Sequence, residues 1–172
     1  MIMRQGQQLL LPANPLFIWF SLVVSLVVNM LPLGRTPWMP DLLAITLVFW
    51  SVHQPLRVGI GAAFLFGLAM DVHQAALLGQ HALAYTALSF FAITIHRRLL
   101  WFTVPSQAVQ VLPLFAAAHA IELAIRMLAG GAFPGLSIVL APVIECLLWP
   151  VVSIILLAPQ RRSPDPDENR PL

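Results

Sequence analysis

The chain has 172 residues, of which 59% are hydrophobic and 9% charged, and its mean hydropathy is +0.86. Soluble domains contain roughly 45–50% apolar and about 25% charged residues, so this composition excludes a water-soluble globular protein and predicts an integral membrane protein. The nine Arg are scattered through short loops rather than gathered in one patch, which argues against a nucleic-acid partner despite a pI of about 9.5.

In chain order, the apolar runs begin with two predicted membrane-spanning helices. The first covers residues 16–33 and is long enough to cross a hydrocarbon layer of about 30 Å. The second covers residues 38–52 and is short. A tryptophan lies near each of its ends, Trp38 and Trp50, as is typical of helices that begin and end at a membrane interface.

The next apolar stretch, residues 58–95, contains no Lys or Arg. A single helix of this length would measure about 57 Å, nearly twice the thickness of the hydrocarbon layer. Polar residues between Asp71 and His81 interrupt the stretch near its middle. The sequence therefore predicts two helices, 58–72 and 80–95, joined by a polar turn.

The C-terminal half is predicted to contain two further spans, residues 104–126 and 136–158. Residues 159–172 are polar and rich in proline, and we expect them to form a disordered cytoplasmic tail. The predicted protein is thus all α-helical, with one domain of six transmembrane helices over residues 1–158.

The distribution of Arg between alternate loops predicts the orientation of these helices, because cytoplasmic loops collect positive charge. Seven Arg fall on one side, namely Arg4, Arg57, Arg97, Arg98, Arg161, Arg162 and Arg170, and two fall on the other, namely Arg35 and Arg126. We therefore expect both termini in the cytoplasm.

The polar residues of the predicted helices gather toward the opposite, outer side. They are Asn29, Asp41, Asp71, His73, His81, His119, Glu122 and Arg126, whereas Glu145 alone is expected near the middle of the membrane. Ionisable groups within a membrane are costly and usually mark function. The alternative is that these groups only stabilise the fold. Glu122 and Arg126 are spaced to form an ion pair, and Asp71 is placed to cap the turn.

Small residues recur every four positions on two of the predicted helices, at Gly59, Ala63 and Gly67 and at Ala116, Ala120 and Ala124. This spacing lets helix backbones approach closely in lipid. The sequence leaves open whether these residues seal the bundle internally or receive a helix of a partner.

The chain contains no recognisable catalytic or cofactor-binding motif, neither a phosphate-binding loop nor a dinucleotide fingerprint nor a nucleophile elbow. The only cysteine, Cys146, excludes an internal disulfide and a cysteine-based metal site. We therefore expect no enzyme activity, no cofactor and no metal.

An ordered set of motifs between about residues 40 and 92 resembles the rod shape-determining protein MreD family. The matching residues are Met39-Pro40-Asp41-Leu42-Leu43, Phe49-Trp50, Pro55, Arg57-Val58-Gly59, Gly67-Leu68-Ala69-Met70-Asp71 and Leu78-Gly79-Gln80-His81-Ala82-Leu83. The resemblance assigns Asp41, Gly67, Asp71, Gly79 and His81 to the family motif. With Glu122 and Arg126, these are the candidate residues for binding a partner or shaping an outer cavity.

The resemblance implies a subunit of the bacterial cell-elongation complex in the inner membrane. Such a subunit docks the bitopic protein MreC, and helps to couple MreB filaments to the periplasmic transpeptidase and glycosyltransferase that build the wall. Membrane lipids are further expected partners.

The family is also similar in topology to the six-helix substrate-binding subunits of energy-coupling-factor transporters. The alternative function is therefore a solute-binding membrane subunit, in which the outer polar residues line a small-molecule pocket.

Overall fold

The computed structural model describes residues 13–31 and 38–160. In these residues it contains six α-helices, two short 3₁₀ segments and no β-strand. The helices are α1 (Pro15–Met30), α2 (Leu42–His53), α3 (Ile60–Gln74), α4 (Gln80–Leu99), α5 (Val104–Leu128) and α6 (Leu140–Leu157). The predicted all-helical fold is confirmed, as is the division of residues 58–95 into two helices.

Local sequence explains where several helices begin. The Asn14 side chain accepts a hydrogen bond from the Leu16 backbone N–H at 3.0 Å, and Pro15 occupies the first turn of α1, where its missing N–H costs nothing.

The start of the last helix differs from the prediction. Leu136–Val139, predicted as the start of the last span, forms a 3₁₀ segment after Gly135, whose φ is +94°. The α-helical part of this span therefore begins four residues later than expected, at Leu140.

Helix α2 forms the centre of the bundle and packs against α1, α4 and α6. Every residue from Leu43 to Val52 is buried. Its sequence is apolar on all sides, as befits a helix that is enclosed by others. With 12 residues it is about 18 Å long, shorter than a hydrocarbon layer, but its flanks are covered by protein rather than lipid.

Buried hydroxyl groups join α2 to its neighbours. The Ser25 and Thr46 hydroxyl oxygens lie 2.8 Å apart, and Trp50 Nε1 donates to Ser21 Oγ at 2.8 Å. Hydrogen bonds between helices stabilise packing in an apolar medium. Of the two positions expected for the tryptophans, interfacial belt or core, Trp50 takes the core, because its ring is fully buried and its N–H is satisfied inside the bundle. Trp38, in contrast, is 48% exposed.

The two stripes of small residues have different environments. Ala63 and Gly67 of α3 are buried, whereas Ala116, Ala120 and Ala124 of α5 are all exposed. The α3 stripe therefore packs inside the bundle, and the α5 stripe lies on its outer surface.

Two segments, Val104–Leu128 and Leu136–Gln160, are long and apolar enough to cross a membrane. Helices α1, α2 and α3 are apolar but shorter, with 16, 12 and 15 residues. Crossing of the membrane by all six helices stays a prediction. The predicted tail from residue 161 onward lies outside the described residues; Pro159 and Gln160 belong to a short 3₁₀ segment.

The bundle has two chemically different ends. We call the end that carries Asp41, Asp71, His119, Glu122 and Glu145 the polar end, and the opposite end, with Arg57, Arg97 and Arg98, the arginine end. At the arginine end, Arg57 Nη1 donates to the Ala13 carbonyl at 2.8 Å and so ties the start of α1 to the loop before α3. Arg4, Arg35, Arg161, Arg162 and Arg170 lie outside the described residues.

Candidate functional site

Asp41 is the point at which three helices meet at the polar end. Its side chain caps α2 by accepting from the Ala44 N–H at 2.9 Å, and the same oxygen accepts from Asn29 Nδ2 of α1 at 2.5 Å. The Tyr85 hydroxyl of α4 donates to its other oxygen. Both oxygens of this carboxylate are therefore occupied, and the start of α2 is held between α1 and α4.

Glu145 extends this network to α5 and α6. Its Oε1 accepts from the Asp41 backbone N–H at 2.9 Å and from His119 Nε2 at 2.8 Å. The side chain is fully buried, and its Oε2 has no hydrogen-bond partner among the residues that the structure describes. Glu145 is thus bonded between helices, one of the two roles open to it from the sequence, and it joins the polar end through Asp41 and His119. Its position near the middle of the membrane stays a prediction.

The predicted ion pair between Glu122 and Arg126 is not formed in the described part of the chain. Glu122 instead faces His119, with its Oε2 3.7 Å from Nδ1, and its side chain is 16% exposed. Arg126 is exposed, and its side chain lies over Gly131, where a Cβ would come within 2.7 Å of Arg126 Cγ. His119 therefore lies between two carboxylates, while Arg126 is within ion-pair distance of neither in the described part of the chain.

A second carboxylate, Asp71, closes the turn between α3 and α4. Its side chain is fully buried and accepts four hydrogen bonds. Three come from the backbone N–H groups of Gly79 (2.8 Å), His81 (2.7 Å) and Ala82 (3.3 Å), and the fourth from His81 Nδ1 (2.8 Å). The negative charge lies at the N-terminus of α4, where the helix dipole stabilises it.

Two glycines make this turn possible. Gly79 has a φ of +103°, which L-residues with a side chain rarely adopt. Gly67 lies where α3 and α4 come closest, and a Cβ placed on it would be 2.4 Å from Ala82 Cα. Gly67, Gly79, Asp71 and His81 therefore form one packing unit, which we call the α3–α4 joint.

A cavity of about 870 Å³ opens at the polar end. Its lining includes the polar side chains of Asp41, His81, His119, Glu122 and Arg126, and the apolar side chains of Met30, Met39, Met70, Leu77, Leu123 and Ile138. Its size is within the range of ligand-binding cavities. Among the described residues, no group of three or more His, Cys, Asp or Glu is arranged to hold a metal ion.

The family model described as rod shape-determining protein MreD matches residues 10–158. This chain belongs to the MreD family. Membership supports a role in rod-shape determination, and MreD proteins are shape-determining structural proteins rather than a known enzyme family. Together with the two long apolar segments, it indicates a membrane protein. No solved structure matches the chain.

The residues that carry the MreD resemblance have mainly structural contacts in this chain. Gly67, Asp71, Gly79 and His81 build the α3–α4 joint, and Asp41 caps α2. All five lie at or near the polar end. Of these, Asp41 and His81 also line the cavity, as do Glu122 and Arg126.

One buried residue of the polar end, Tyr85, was not among the residues predicted from the sequence. Tyr85 is fully buried and donates its hydroxyl to Asp41. It is the only tyrosine of the chain, and a buried tyrosine hydroxyl requires an acceptor. Those two facts, with its position one turn after His81, are the signal that could have placed it beside a carboxylate.

Proposed function

We propose that this chain is a non-enzymatic inner-membrane subunit of the bacterial cell-elongation complex, with six membrane-crossing helices and both termini in the cytoplasm. The observation that carries the proposal is the match to the MreD family over residues 10–158. The orientation is supported by the described Arg residues, since three lie at the arginine end and only Arg126 lies at the polar end. The polar end then faces the periplasm.

The short helices are compatible with a six-span topology. Helix α2 has no lipid-facing flank, so its length need not match the hydrocarbon thickness. A bilayer also adapts to short apolar helices by thinning locally, at a cost of fractions of a kcal/mol per Å.

Cysteine labelling tests the orientation. Leu56 at the arginine end is 99% exposed and Leu128 at the polar end is 89% exposed, which makes them a matched pair. In a Cys146→Ala background, we expect a membrane-impermeant maleimide added to spheroplasts to label the Leu128→Cys variant and to spare the Leu56→Cys variant until the cells are lysed. The reverse pattern would overturn the proposed orientation.

The subunit docks the membrane helix of MreC in this proposal, and through MreC helps to connect MreB filaments with the periplasmic transpeptidase and glycosyltransferase. Arg97 and Arg98 contribute by holding the arginine end at the anionic inner leaflet, where each positive charge adds about 1 kcal/mol of attraction. Direct contact with MreB is not needed to explain these two residues.

The exposed face of α5 is the favoured docking surface for MreC. Ala116, Ala120 and Ala124 are spaced one turn apart and are all exposed, so burial inside the described bundle does not account for their small size. Small residues at this spacing let another helix approach closely in a membrane.

Co-purification from detergent tests the docking. The double change Ala116→Leu and Ala120→Leu should reduce recovery of MreC, while Gly61→Leu on α3, where a new side chain meets open space, should leave it unchanged. Undiminished recovery in the double variant would exclude this face, and absence of MreC from the wild-type sample would exclude the docking role itself. Gly67 and Asp71 are unsuitable for this test because the α3–α4 joint depends on them.

The cavity supports a second candidate, a solute-binding subunit of an energy-coupling-factor type transporter, because such subunits hold their ligand in a cavity between helices. The neighbouring genes distinguish the two. Genes for an actin-like filament protein and a bitopic coiled-coil protein support the elongation complex, whereas genes for ATPase and coupling subunits support the transporter.

A further inference from the structure

The cavity at the polar end combines charged and apolar walls. Glu122, Asp41 and His119 line one part of it, and Arg126 lies at its exposed rim. Leu31, Met39 and Leu77 also line the cavity while being 50%, 37% and 54% exposed, and we call these three exposed apolar side chains the apolar path. A molecule that fits these walls must carry both charge and hydrocarbon.

The inner part of the cavity has an excess of negative charge. Glu122 is largely buried, and within the described part of the chain its carboxylate has a single ion-pair contact, to His119 at 3.7 Å. His119 is already engaged by Glu145 through its other nitrogen at 2.8 Å. The Glu145 Oε2 behind it is fully buried and lacks a partner among the described residues. A buried carboxylate in such surroundings favours an incoming cation that can donate hydrogen bonds.

The rim carries the opposite charge. Arg126 follows Glu122 by four residues on α5, so their backbones are about 6 Å apart along the helix axis. Gly131 leaves room for the Arg126 side chain, which lies at the rim without a carboxylate within ion-pair distance among the described residues. A guanidinium in this position suits a phosphate group, which it binds through two hydrogen bonds.

From this arrangement we propose that the cavity binds an aminoethyl phosphodiester, the head group of phosphatidylethanolamine. The ammonium donates to the Glu122 carboxylate, the phosphate binds Arg126, and the first part of an acyl chain follows the path of Leu31, Met39 and Leu77. The two-carbon link between the ammonium and the phosphate suits acidic and basic groups separated by one helical turn. The exposed apolar path favours the lipid over a free amine as the source of this group.

This site is distinct from the docking of MreC and does not depend on it. The exposed face of α5 carries the docking proposal, whereas the head-group site uses the cavity side of the same helix. Loss of one interaction therefore leaves the other measurable.

Native mass spectrometry of the detergent-purified full chain tests the site. Phosphatidylethanolamine is titrated against phosphatidylglycerol with the same acyl chains, which has the phosphodiester but no ammonium. We expect the wild-type protein to retain phosphatidylethanolamine about ten-fold more tightly, in line with the strength of one charge-assisted hydrogen bond. Equal retention of the two lipids would overturn the proposal.

Two variants locate the interaction. Glu122→Gln should remove the preference for phosphatidylethanolamine, and Arg126→Gln should weaken retention of both lipids by a similar factor. Glu168→Gln, the same carboxylate-to-amide change outside the described residues, is the matched control and should behave as the wild type. A Glu122→Gln protein that remains monodisperse and keeps the preference would overturn the proposal. If Glu122→Gln does not fold, Arg126→Gln decides in its place, because that side chain is exposed.

A competition experiment distinguishes a membrane lipid from a free small molecule as the source of the head group. Soluble glycerophosphoethanolamine, which carries the same aminoethyl phosphodiester, is added at millimolar concentration. Displacement of the lipid from the wild-type protein, but not from the Arg126→Gln variant, supports the same recognition with a free small molecule. Retention of the lipid in its presence supports the lipid itself. A competitor that acts equally on both proteins would contradict the assigned contacts.

Discussion

Asp71 and Glu122 are both carboxylates at the polar end of one bundle, yet their surroundings differ completely. Asp71 is fully buried and accepts four hydrogen bonds, three of them from the backbone at the start of α4. Glu122 lines a cavity, and its described ion-pair contact is a single histidine nitrogen at 3.7 Å. The Asp71 carboxylate is fully hydrogen-bonded within the protein and so stabilises the fold. The Glu122 carboxylate has few donors around it and can accept hydrogen bonds from a bound ligand.

The residues of the MreD motif and the residues that line the cavity overlap only in part. The motif residues Gly67, Asp71, Gly79 and His81 build the α3–α4 joint, and of these four only His81 also lines the cavity. Glu122 and Arg126 are outside that motif but line the cavity as well. Three of the four residues of the joint therefore have only structural contacts, whereas the cavity combines motif residues with others.

The largest expected effect in this comparison comes from Asp71→Ala. The change leaves three backbone N–H groups at the start of α4 without their acceptor, and we expect a loss of about 3–5 kcal/mol in the free energy of unfolding. Thermal unfolding in detergent, followed by circular dichroism, measures it. Asp71→Asn keeps one acceptor oxygen and should lose less. A fully stable Asp71→Ala protein would show that the joint does not depend on this carboxylate.

A smaller effect is expected for Gly67→Ala. The new Cβ would lie 2.4 Å from Ala82 Cα, so the two helices must separate, at a cost of about 1–3 kcal/mol. Gly61→Ala, on the same helix but facing open space, is the control and should be neutral or stabilising by about 0.5–1 kcal/mol, because alanine favours a helix over glycine. The unfolding temperature should fall for Gly67→Ala and stay unchanged or rise for Gly61→Ala, and equal shifts would contradict the close approach.

The smallest expected effect on stability is that of Glu122→Gln, at less than about 0.5 kcal/mol. The amide has nearly the same shape and disturbs only the 3.7 Å contact with His119. The same unfolding measurement checks this. A destabilisation close to that of Asp71→Ala would show that Glu122 is structural too, and the contrast between the two carboxylates would then disappear.

The sequence predicts the number and order of the helices well, because prolines, capping residues and polar turns interrupt the apolar runs. The sequence correctly predicts two helices within residues 58–95, because one helix of that length would be too long for a membrane and polar residues interrupt the apolar stretch. Capping also follows from local sequence, as at Asp41 before the apolar run of α2. The spacing of the small residues is also evident in the sequence, but only the structure shows that Gly67 is buried and Ala120 is exposed.

The contacts within the site were harder to predict, because they join residues far apart in the chain. The pairing of Glu122 with Arg126 was expected from helical spacing, but His119 competes for the same carboxylate and is closer. The contacts of Glu145 with Asp41 and His119 join three helices, and no spacing within α6 indicates them. Periodicity within one helix does not reveal which side chains other helices bring to it.

The enclosure of α2 has a consequence for how the chain is assembled. The hydrogen bond between the Asp41 N–H and Glu145 joins residues that are 104 positions apart, and α6 follows the other five described helices in chain order. Until α6 is in place, the Asp41 N–H lacks its described acceptor and one flank of α2 is uncovered. The central helix therefore reaches its described surroundings only after about a hundred further residues have been synthesised.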